Sequence, residues 1–442
     1  MHRYKTLLFA YFICFSFSLP QDTFADISLI GADPEADLKA NIPEWSGGLA
    51  KRELIPHGHH PNPFSDDRAT IIDSNNYLEH IEFLSPGLIA LITQYPKTFY
   101  IPLYPSRRSG SFPDWYYQNM HNIETKPTLS NSGNGIINPI AGTNFPQPKN
   151  GLEAIWNHLT RWRGFFMQRK QTDAIVYPNG LKKTITIKYE ISFEMFRAKN
   201  LMKTGPQVLL YYTSFVTSPP KLAGGALLAI DYVDQQINPR QSWSYDANQR
   251  RVKRLPYIKH DHPAMMSENI RTTDDTDLFS GSPELYNWKL IGKEVKYIPY
   301  NSYALTSPIV DSDKLLTAHH LNPEFTRFEA HRVWVVEATL KKGKYHIYPQ
   351  RTFYLDEDSW SISLVDQYDQ QGNIWRVSTA HLKNFYEVPM TMTVIDVYHD
   401  LKTKYYHVGG LTNEEKNDGT YLNDFPAQSF FSPSALRGRM KY

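Results

Sequence analysis

The sequence has one cysteine in 442 residues, Cys14, and it lies inside an apolar N-terminal segment. If that segment is removed, the mature chain has no disulfide bond, no thiolate nucleophile and no cysteine ligand for a metal ion. We therefore expect a fold that is stabilised by packing alone.

The chain also lacks a strong excess of charge and a second long apolar run. Lys and Arg total 47 against 45 Asp and Glu, so the charge balance indicates no nucleic acid or other polyanionic partner. The apolar run at residues 6–19 is shorter than the roughly 20 residues that a membrane-spanning helix needs. It follows a basic N-terminus and precedes the small residue Ala25. This pattern predicts a secretory signal peptide over residues 1–25, cleaved near Ala25, and an exported mature protein.

What the chain has instead is a large apolar and aromatic share. Hydrophobic residues make up 41% of it and aromatic residues 14%, led by 29 Tyr and 23 Phe. This composition is sufficient for a core, excludes a disordered class and favours strands.

The N-terminal third and the segment after it differ in pattern. Residues 26–147 are rich in Pro, Asn, Ser and Gly, which predicts an irregular N-terminal region with short helices. A capping helix is predicted over residues 150–163, because Asn150 can cap it and Glu153 follows three residues later as in a capping box. Apolar residues recur there at helical spacing: Leu152, Ile155, Trp156 and Leu159. The opposite face is predicted to carry Glu153, Asn157 and Arg161.

Beyond this helix the apolar period changes to two. In residues 184–195 every second side chain is apolar, which is typical of a half-buried antiparallel strand. Eight further runs of this kind follow, at residues 208–217, 227–233, 242–246, 333–340, 345–355, 359–368, 374–382 and 391–397. Short polar turns separate many of them, so we predict a sheet of nine or more strands, joined mainly as hairpins.

A sheet of this size must curl, because strongly twisted open sheets rarely exceed about ten strands. The predicted helices are too few to cover a whole apolar face, which favours a closed barrel or a half-open barrel plugged by the helix at 150–163. The predicted fold class is α+β, mainly β, with a large curved antiparallel sheet over residues 148–442.

Several short stretches invite a chemical interpretation. The histidines of "HGHH" at 57–60 could bind a metal, but no matched carboxylate spacing accompanies them, so a solvated loop is preferred. The carboxylates of "DEDSW" at 356–360 lie between two alternating runs, which favours a hairpin turn over acid–base catalysis. "RRVKR" at 250–254 is expected at a solvated strand edge. Arg107 and Arg108 are expected to tie the N-terminal loops to the sheet. We predict no catalytic residue, no metal site and no cofactor.

A set of longer blocks occurs in a fixed order along the chain. They are "GADPEADLKANIPEWSGGL", "IPLYPSRRSGSFPDW", "FPQPKNGLEAIWNHLTRWRG", "SPPKLAGGALL", "PRQSWSYDANQRRVKRLP", "WKLIGKEVKYIPYNSY", "YLDEDSWSISLVDQYDQQGNIWR" and "SALRGR". As a set they resemble the successive blocks of the domain of unknown function 1329 family, which in turn resembles the periplasmic lipoprotein carrier LolA. The resemblance implies a LolA-like half-open antiparallel barrel with helices over its mouth, in the Gram-negative periplasm. It also implies an exporter of the resistance-nodulation-division (RND) type and an outer-membrane protein as possible partners.

By analogy with that carrier, alternating apolar residues would bind a lipid or other hydrophobic small molecule on the hollow side of the sheet. The residues expected to line this side are Ile185, Ile187, Tyr189, Ile191, Phe193, Trp243, Trp334, Trp360 and Ile362. A shift of one residue in register would turn a strand's whole set to the other face. We predict a non-enzymatic periplasmic carrier or accessory protein, with peripheral or transient membrane contact only.

Two other classes of function stay open at this point. One is a structural or interaction protein of an envelope complex that has no ligand cavity. The other is a hydrolase that uses Asp356, Glu357 or Asp358. An outer-membrane barrel fits poorly, because its strands would need an outward apolar band and the long N-terminal region has no place in it.

Overall fold

The computed structural model describes residues 29–53, 58–123, 125–197, 207–256 and 260–439. The predicted signal peptide and His57 lie outside the described residues.

The α-helices of the described residues are α1 (Pro86–Gln94), α2 (Asp114–His121), α3 (Gly151–Thr160), α4 (Ser312–Leu315) and α5 (Pro433–Arg439). The strands are β1 (Thr70–Ile72), β2 (Ile101–Tyr104), β3 (Thr128–Leu129), β4 (Ile136–Ile137), β5 (Phe166–Val176), β6 (Lys182–Ser192), β7 (Val208–Ser218), β8 (Ala226–Tyr232), β9 (Gln241–Asp246), β10 (Arg251–Leu255), β11 (Tyr286–Pro299), β12 (Phe328–Leu340), β13 (Gln350–Asp356), β14 (Ile362–Tyr368), β15 (Ile374–Phe385), β16 (Met390–Asp400), β17 (Tyr406–Leu411) and β18 (Thr420–Leu422).

One large sheet contains 16 of these strands. Its order is β1-β2-β12-β13-β14-β15-β16-β17-β5-β6-β7-β8-β9-β10, with β11 paired to β12 and β18 paired to β5. The two ends of this order do not meet, and the pairing is antiparallel except between β2 and β12. The predicted class, mainly β with a large curved sheet that stays open, is confirmed.

Each of the nine predicted runs overlaps a strand, with different bounds. The first run ends at Ser192, because residues 194–196 form a 3-10 helix. None of the predicted runs covers β1 to β4, β5, β11, β17 or β18. In β5 the inward-facing positions of Arg169 and Asp173 carry charges, which interrupts the apolar alternation, and β17 contains two glycines. The "RRVKR" stretch forms β10 at one edge of the sheet, as predicted.

Strand register defines one continuous face of the sheet, because directly paired residues lie on the same side. Ile185 on β6 pairs with Asp173 on β5. The same face continues to β12 through the pairs Ile175–His407, His407–Tyr398, Tyr398–Ser378, Ser378–Val365, Val365–Phe353 and Phe353–Val336. The helix α3 packs on this side, against β11 and β12. We call it the inner face and the opposite side the outer face.

Bulges curve the sheet around the inner face. Register shifts interrupt seven strand pairs, and each such bulge bends its strand and increases the local twist. As a result Arg169 on β5 reaches over β17. Its Nη2 donates to the carbonyl oxygens of Val394, at 2.6 Å, and Gly410, at 2.7 Å.

The helix α3 begins as predicted but is more deeply buried than expected. The Asn150 side chain accepts a hydrogen bond from the Glu153 amide at 2.9 Å, and the helix ends at Thr160 rather than at residue 163. The predicted polar face was wrong for Asn157 and Arg161, which are only 2% and 3% exposed. They are buried because Asn157 bonds to the backbone of Phe145 and Arg161 bonds to other buried groups.

Separate segments cover the outer face. The helix α1 packs on β14 and β15, and α5 packs on β8, β9 and β10. Leu305, Leu315 and Leu321 form an apolar cluster with residues of β5, β16 and β17. None of the described helices is long and apolar enough to cross a membrane.

The boundary at residue 147 between the two predicted domains stays a prediction. Residues before it form α1, α2 and four short strands. Two of these strands, β1 and β2, belong to the large sheet, where β2 pairs with β12. The N-terminal region therefore shares its hydrogen bonding with the rest of the chain.

The close approach of α3 to the sheet predicts an unusual response to a glycine substitution. A Cβ atom on Gly151 would lie 2.8 Å from Val336 and 2.9 Å from the backbone of Lys289. Gly151→Ala should lower the free energy of unfolding by about 1–3 kcal/mol through overpacking, measured by urea unfolding.

The control is Gly438→Ala in α5, where a Cβ atom would have no neighbour within 4 Å. This change should be neutral or stabilising by up to about 1 kcal/mol, because alanine favours helix. Equal effects of the two substitutions would contradict the tight docking of α3.

Candidate functional site

The inner face is divided into a packed part and a part whose apolar side chains belong to none of the packed clusters of the described residues. Over β11 to β15 it is covered by α3, by the segment 273–279 and by N-terminal residues. The Trp360 indole donates to the Ile30 carbonyl at 2.8 Å, and the Ile362 amide lies 3.1 Å from the His158 ring on α3. This part is filled by the protein's own side chains.

The nine predicted lining residues do not form one surface. Four of them belong to the main packed core: Phe193, Trp334, Trp360 and Ile362. Four follow one another on the inner face of β6: Ile185, Ile187, Tyr189 and Ile191. Trp243 lies apart from the other eight. It pairs with Leu228, which continues through Thr213 to Glu190, so it lies on the outer face, beside the cluster that contains Leu436 of α5.

Polar side chains of α3 and its C-terminal extension bind the segment that covers the packed part. Arg161 and Arg163 contact opposite oxygens of Asp277, at 2.5 Å and 2.7 Å. Burial and the charge of Arg161 lower the pKa of His158 to about 3, so its ring is neutral. Neutral His158 lies 3.1 Å from the Asp277 carbonyl oxygen and can donate to it. The helix α3 therefore braces the segment that covers the packed part.

The second part of the inner face carries an apolar stripe on β6, β7 and β8. We define the apolar stripe as Ile185, Ile187, Tyr189, Tyr212, Val216 and Leu227. Ile185 and Tyr189 are each 7% exposed, and the others are half-buried. The rings of Tyr189 and Tyr212 stack with centroids 6.0 Å apart. In the described residues, none of the six belongs to any of the three packed apolar clusters.

Charged residues lie next to the apolar stripe. We define the charged floor as Arg169 and Asp173 on β5, Asp396 on β16, and Arg271 from the segment between β10 and β11. Asp173 accepts hydrogen bonds from Gln171 at 2.7 Å and from the Gly410 amide at 3.0 Å. The Arg271 guanidinium lies 5.5 Å from the centroid of the Tyr398 ring.

The surroundings of the two carboxylates in the charged floor disfavour their ionised form. Burial, followed by the negative charge of Asp277, raises the pKa of Asp396 to about 7, while Arg271 opposes the shift. Burial also raises the pKa of Asp173. Both groups are thus easier to protonate than an ordinary aspartate.

A separate cavity of about 710 Å³ opens beside the hairpin between β15 and β16. Its apolar wall consists of Phe112, Trp115, Tyr117, Trp162, Phe165, Val388 and Pro389. Trp162 contacts Trp115 and Phe165 edge to face, with centroids 4.9 Å and 5.0 Å apart. None of these residues was predicted to line a site. In the sequence, the aromatic-rich stretches "DWYY" and "RWRGFF" could have indicated this cavity.

The acidic turn at residues 356–359 joins β13 to β14 as predicted, but its carboxylates are fully buried. Arg108 donates to Asp358 at 2.6 Å and to Glu357 at 3.0 Å. Arg332 and Lys293 also bind Glu357. Arg108 therefore ties the N-terminal region to the sheet, in agreement with the expectation from the sequence.

One group in this region has the residue types of a metal site. Ligand atoms of His331, Asp356 and Asp358 lie within 4.8 Å of one another. Burial alone would lower the pKa of His331, but hydrogen bonds to Asp356 and Glu329 outweigh it and raise that pKa to about 9. The imidazolium and Arg108 already neutralise these carboxylates, so the geometry favours an ionic brace over a metal centre.

The predicted solvated loop at "HGHH" was wrong for His59 and His60, which are 9% and 7% exposed. Both rings contact Asp418, at 2.8 Å and 3.0 Å, and His60 also contacts Glu387. Asp418 in turn binds the buried ammonium of Lys383 at 2.5 Å. The histidines are buried because this ionic network needs them as partners.

Comparison with known proteins places the chain in a family. Residues 71–437 match the family described as "Protein of unknown function (DUF1329)". A Pseudomonas aeruginosa protein described as "Uncharacterized protein PA3922" is 37% identical over 415 residues, which cover 92% of this chain and 90% of that protein. The chain belongs to the DUF1329 family. The family resemblance stated from the sequence is thereby confirmed.

Two solved structures show weaker similarity to this DUF1329 chain. A DUF1329 family protein from Desulfovibrio piger has a TM-score of 0.43 and 14% identity, covering 64% of this chain and 95% of that chain. A putative outer membrane lipoprotein-sorting protein domain from Vibrio parahaemolyticus has a TM-score of 0.43 and 15% identity, covering 65% and 98%.

The buried position of Arg108 predicts a large stability difference between two adjacent arginines of the DUF1329 chain. Arg108→Ala leaves Asp358 and Glu357 short of a buried partner and should lower the free energy of unfolding by about 3–5 kcal/mol. The control is Arg107→Ala, because the Arg107 side chain is 44% exposed and pairs with Asp67. It should cost at most about 1 kcal/mol in the same urea titration. Equal losses would contradict the brace.

The raised pKa of His331 predicts a loss of stability in alkali. The folded state holds this proton more tightly than the unfolded state, so the stabilisation is complete below about pH 6.5 and is lost as the pH rises through about 9. The loss should approach about 3 kcal/mol between these pH values, measured by urea unfolding. In His331→Gln the slope of stability against pH over this window should be reduced, and an unchanged slope would contradict the assignment.

Proposed function

We propose that this protein is a non-enzymatic periplasmic carrier that holds the hydrocarbon portion of a lipid or other amphiphile on the apolar stripe. The observation that supports this proposal is the stripe itself, whose six side chains share the inner face of a curved sheet and belong to no packed cluster of the described residues. Half-buried apolar side chains on a concave surface are the usual lining of a small-molecule site. The proposal includes export with removal of residues 1–25.

The energy available to such a site is sufficient for useful binding. Removing one methylene from water contributes about 0.8 kcal/mol, so ten methylenes provide roughly 8 kcal/mol before the costs of association. Micromolar affinity corresponds to about 8 kcal/mol, so a chain longer than ten carbons leaves a margin for those costs. A carrier needs this intermediate affinity, because it must also release its cargo.

The proposed setting is an exchange of cargo with membrane components. Contact with the membrane would be peripheral or transient, and the proposed partners are an RND-type exporter and an outer-membrane protein. The small net charge of the chain, +2, offers no strong electrostatic attraction to an anionic membrane surface. Delivery would therefore depend on a protein partner more than on the lipid surface.

The second candidate is a structural or interaction protein of an envelope complex. The filled part of the inner face favours it, because Phe193, Trp334, Trp360 and Ile362 are packed by the protein's own residues. In that case substitutions in the stripe would leave partner capture unchanged, and the purified protein would contain no lipid.

Native mass spectrometry of protein purified without detergent tests the carrier proposal. The wild-type protein should retain lipid, and Ile187→Glu should lose it, because the new carboxylate would lie against the hydrocarbon. The matched control is Thr184→Glu, an exposed outer-face position on the same strand, which should keep the lipid. A wild-type protein with neither bound lipid nor lipid exchange would refute the carrier proposal.

A third variant locates the lipid. Trp115→Ala alters the aromatic cavity beside the β15–β16 hairpin and leaves the stripe intact. We expect retained lipid in this variant. Loss of lipid from Trp115→Ala but not from Ile187→Glu would move the site from the stripe to the aromatic cavity.

A further inference from the structure

The charged floor and the neighbouring His407 of β17 contain buried polar atoms that have no hydrogen-bond partner in the described residues. The unpartnered atoms are Arg169 Nε, Arg271 Nε, Asp396 Oδ1 and His407 Nδ1. Arg169 and His407 are 4% and 2% exposed, so water has little access to them from outside. A buried polar group without a hydrogen bond is unfavourable, so these four atoms are candidates for contact with a polar ligand.

Register places these atoms beside the apolar stripe rather than elsewhere in the molecule. Asp173 pairs directly with Ile185, and Arg169 pairs directly with Tyr189. His407 lies on the same face, paired with Ile175. Opposite residues of an antiparallel pair have Cβ atoms about 5 Å apart. A charged surface and an apolar surface therefore meet along the line between β5 and β6.

The charged floor contains two carboxylates and two guanidiniums, and the positive charges of Arg271 and Arg169 partly offset the rise in pKa of Asp173 and Asp396. No direct ion pair joins these side chains in the described residues, whereas Asp277 nearby is bound by Arg161 and Arg163. Arg271 uses one nitrogen, Nη1, to bond Thr276 at 3.1 Å. Two carboxylates and a guanidinium are thus available to a ligand at the edge of the stripe.

We infer that the charged floor binds the head group of a zwitterionic amphiphile, with its ammonium at Asp396 and Asp173 and its phosphate at Arg271. This inference rests on the proposed function, because the same molecule would place its hydrocarbon on the apolar stripe. A purely anionic head group would meet two aspartates, and a purely cationic one would meet Arg271. A head group with both charges satisfies all three groups at once, through charge-assisted hydrogen bonds.

The environment of Asp396 supports this assignment. Its carboxyl has a raised pKa because it is buried near other negative charges, and an ammonium ion at this position would stabilise the ionised form. The same environment makes Asp396→Asn a safe variant. The amide has nearly the same shape, and burial disfavours the charge that it removes, so the variant should fold.

The test uses lysophosphatidylethanolamine and lysophosphatidylglycerol with identical acyl chains, titrated into the full mature protein by calorimetry. The first carries an ammonium and a phosphate, and the second carries only the phosphate. The wild-type protein should bind the ethanolamine lipid about tenfold more tightly, and Asp396→Asn should remove this preference while it leaves affinity for the glycerol lipid unchanged or higher. The control Asp66→Asn, at an exposed position, should keep the preference.

Two further variants separate the head-group inference from the carrier proposal. Ile187→Glu should weaken both lipids equally, and Arg271→Gln should weaken both through the phosphate. Equal wild-type affinities that Asp396→Asn does not alter, or a preference for the glycerol lipid, would overturn the head-group inference and leave hydrocarbon carriage intact. No binding of either lipid by the wild-type protein would refute the carrier proposal, and the head-group inference with it.

Discussion

Backbone pairing across the open sheet determines which side chains face inwards, and the arrangement of the interior depends on it. Because paired residues share a face, the orientation of Ile185 on β6 is linked through successive pairs to that of Val336 on β12. The bulges alter this register locally and bend the sheet around its inner face. One face therefore provides both the packed region under α3 and the apolar stripe, and a shift in register in any intervening strand would exchange inner and outer residues in it.

Buried charges perform the positioning that disulfide bonds perform in many exported proteins. Arg108 links an N-terminal loop to the turn after β13, and Lys383 with Asp418 links β15 to the loop that contains His60. Removing charges from water is costly, so pairs of this kind specify one arrangement of loops more than they add net stability. The acidic turn is thus saturated by cations of its own chain.

The sequence allowed us to predict the features that depend on residues close together in the chain. Asn150 and Glu153 are three residues apart, so the start of α3 could be read locally, and the period of two identified most strands. Features set by distant residues could not be predicted. The face of Trp243 depends on the register of three strand pairs, and His60 is buried by Asp418, which is 358 residues away in the chain. In the candidate site, the alternation of residues 185–191 predicted that the apolar side chains of β6 share one face. Nothing in the sequence predicted that the charged residues of β5 lie beside them.

The two parts of the inner face differ in the residues that fill them, and this difference bears on function. At β12 and β13 the inner residues Val336 and Phe353 are fully buried in an apolar core, which is the stable arrangement for an interior that only has to be filled. On the same face of β5, Ile175 still belongs to that core, whereas Asp173 and Arg169 further along the strand are charged. Buried charges are costly unless they are bound, and the contacts of Arg169 and Asp173 within the protein leave Arg169 Nε without a partner in the described residues. An amphiphile of the proposed kind would make both the stripe and the charges favourable, because one molecule would contact both surfaces where they meet.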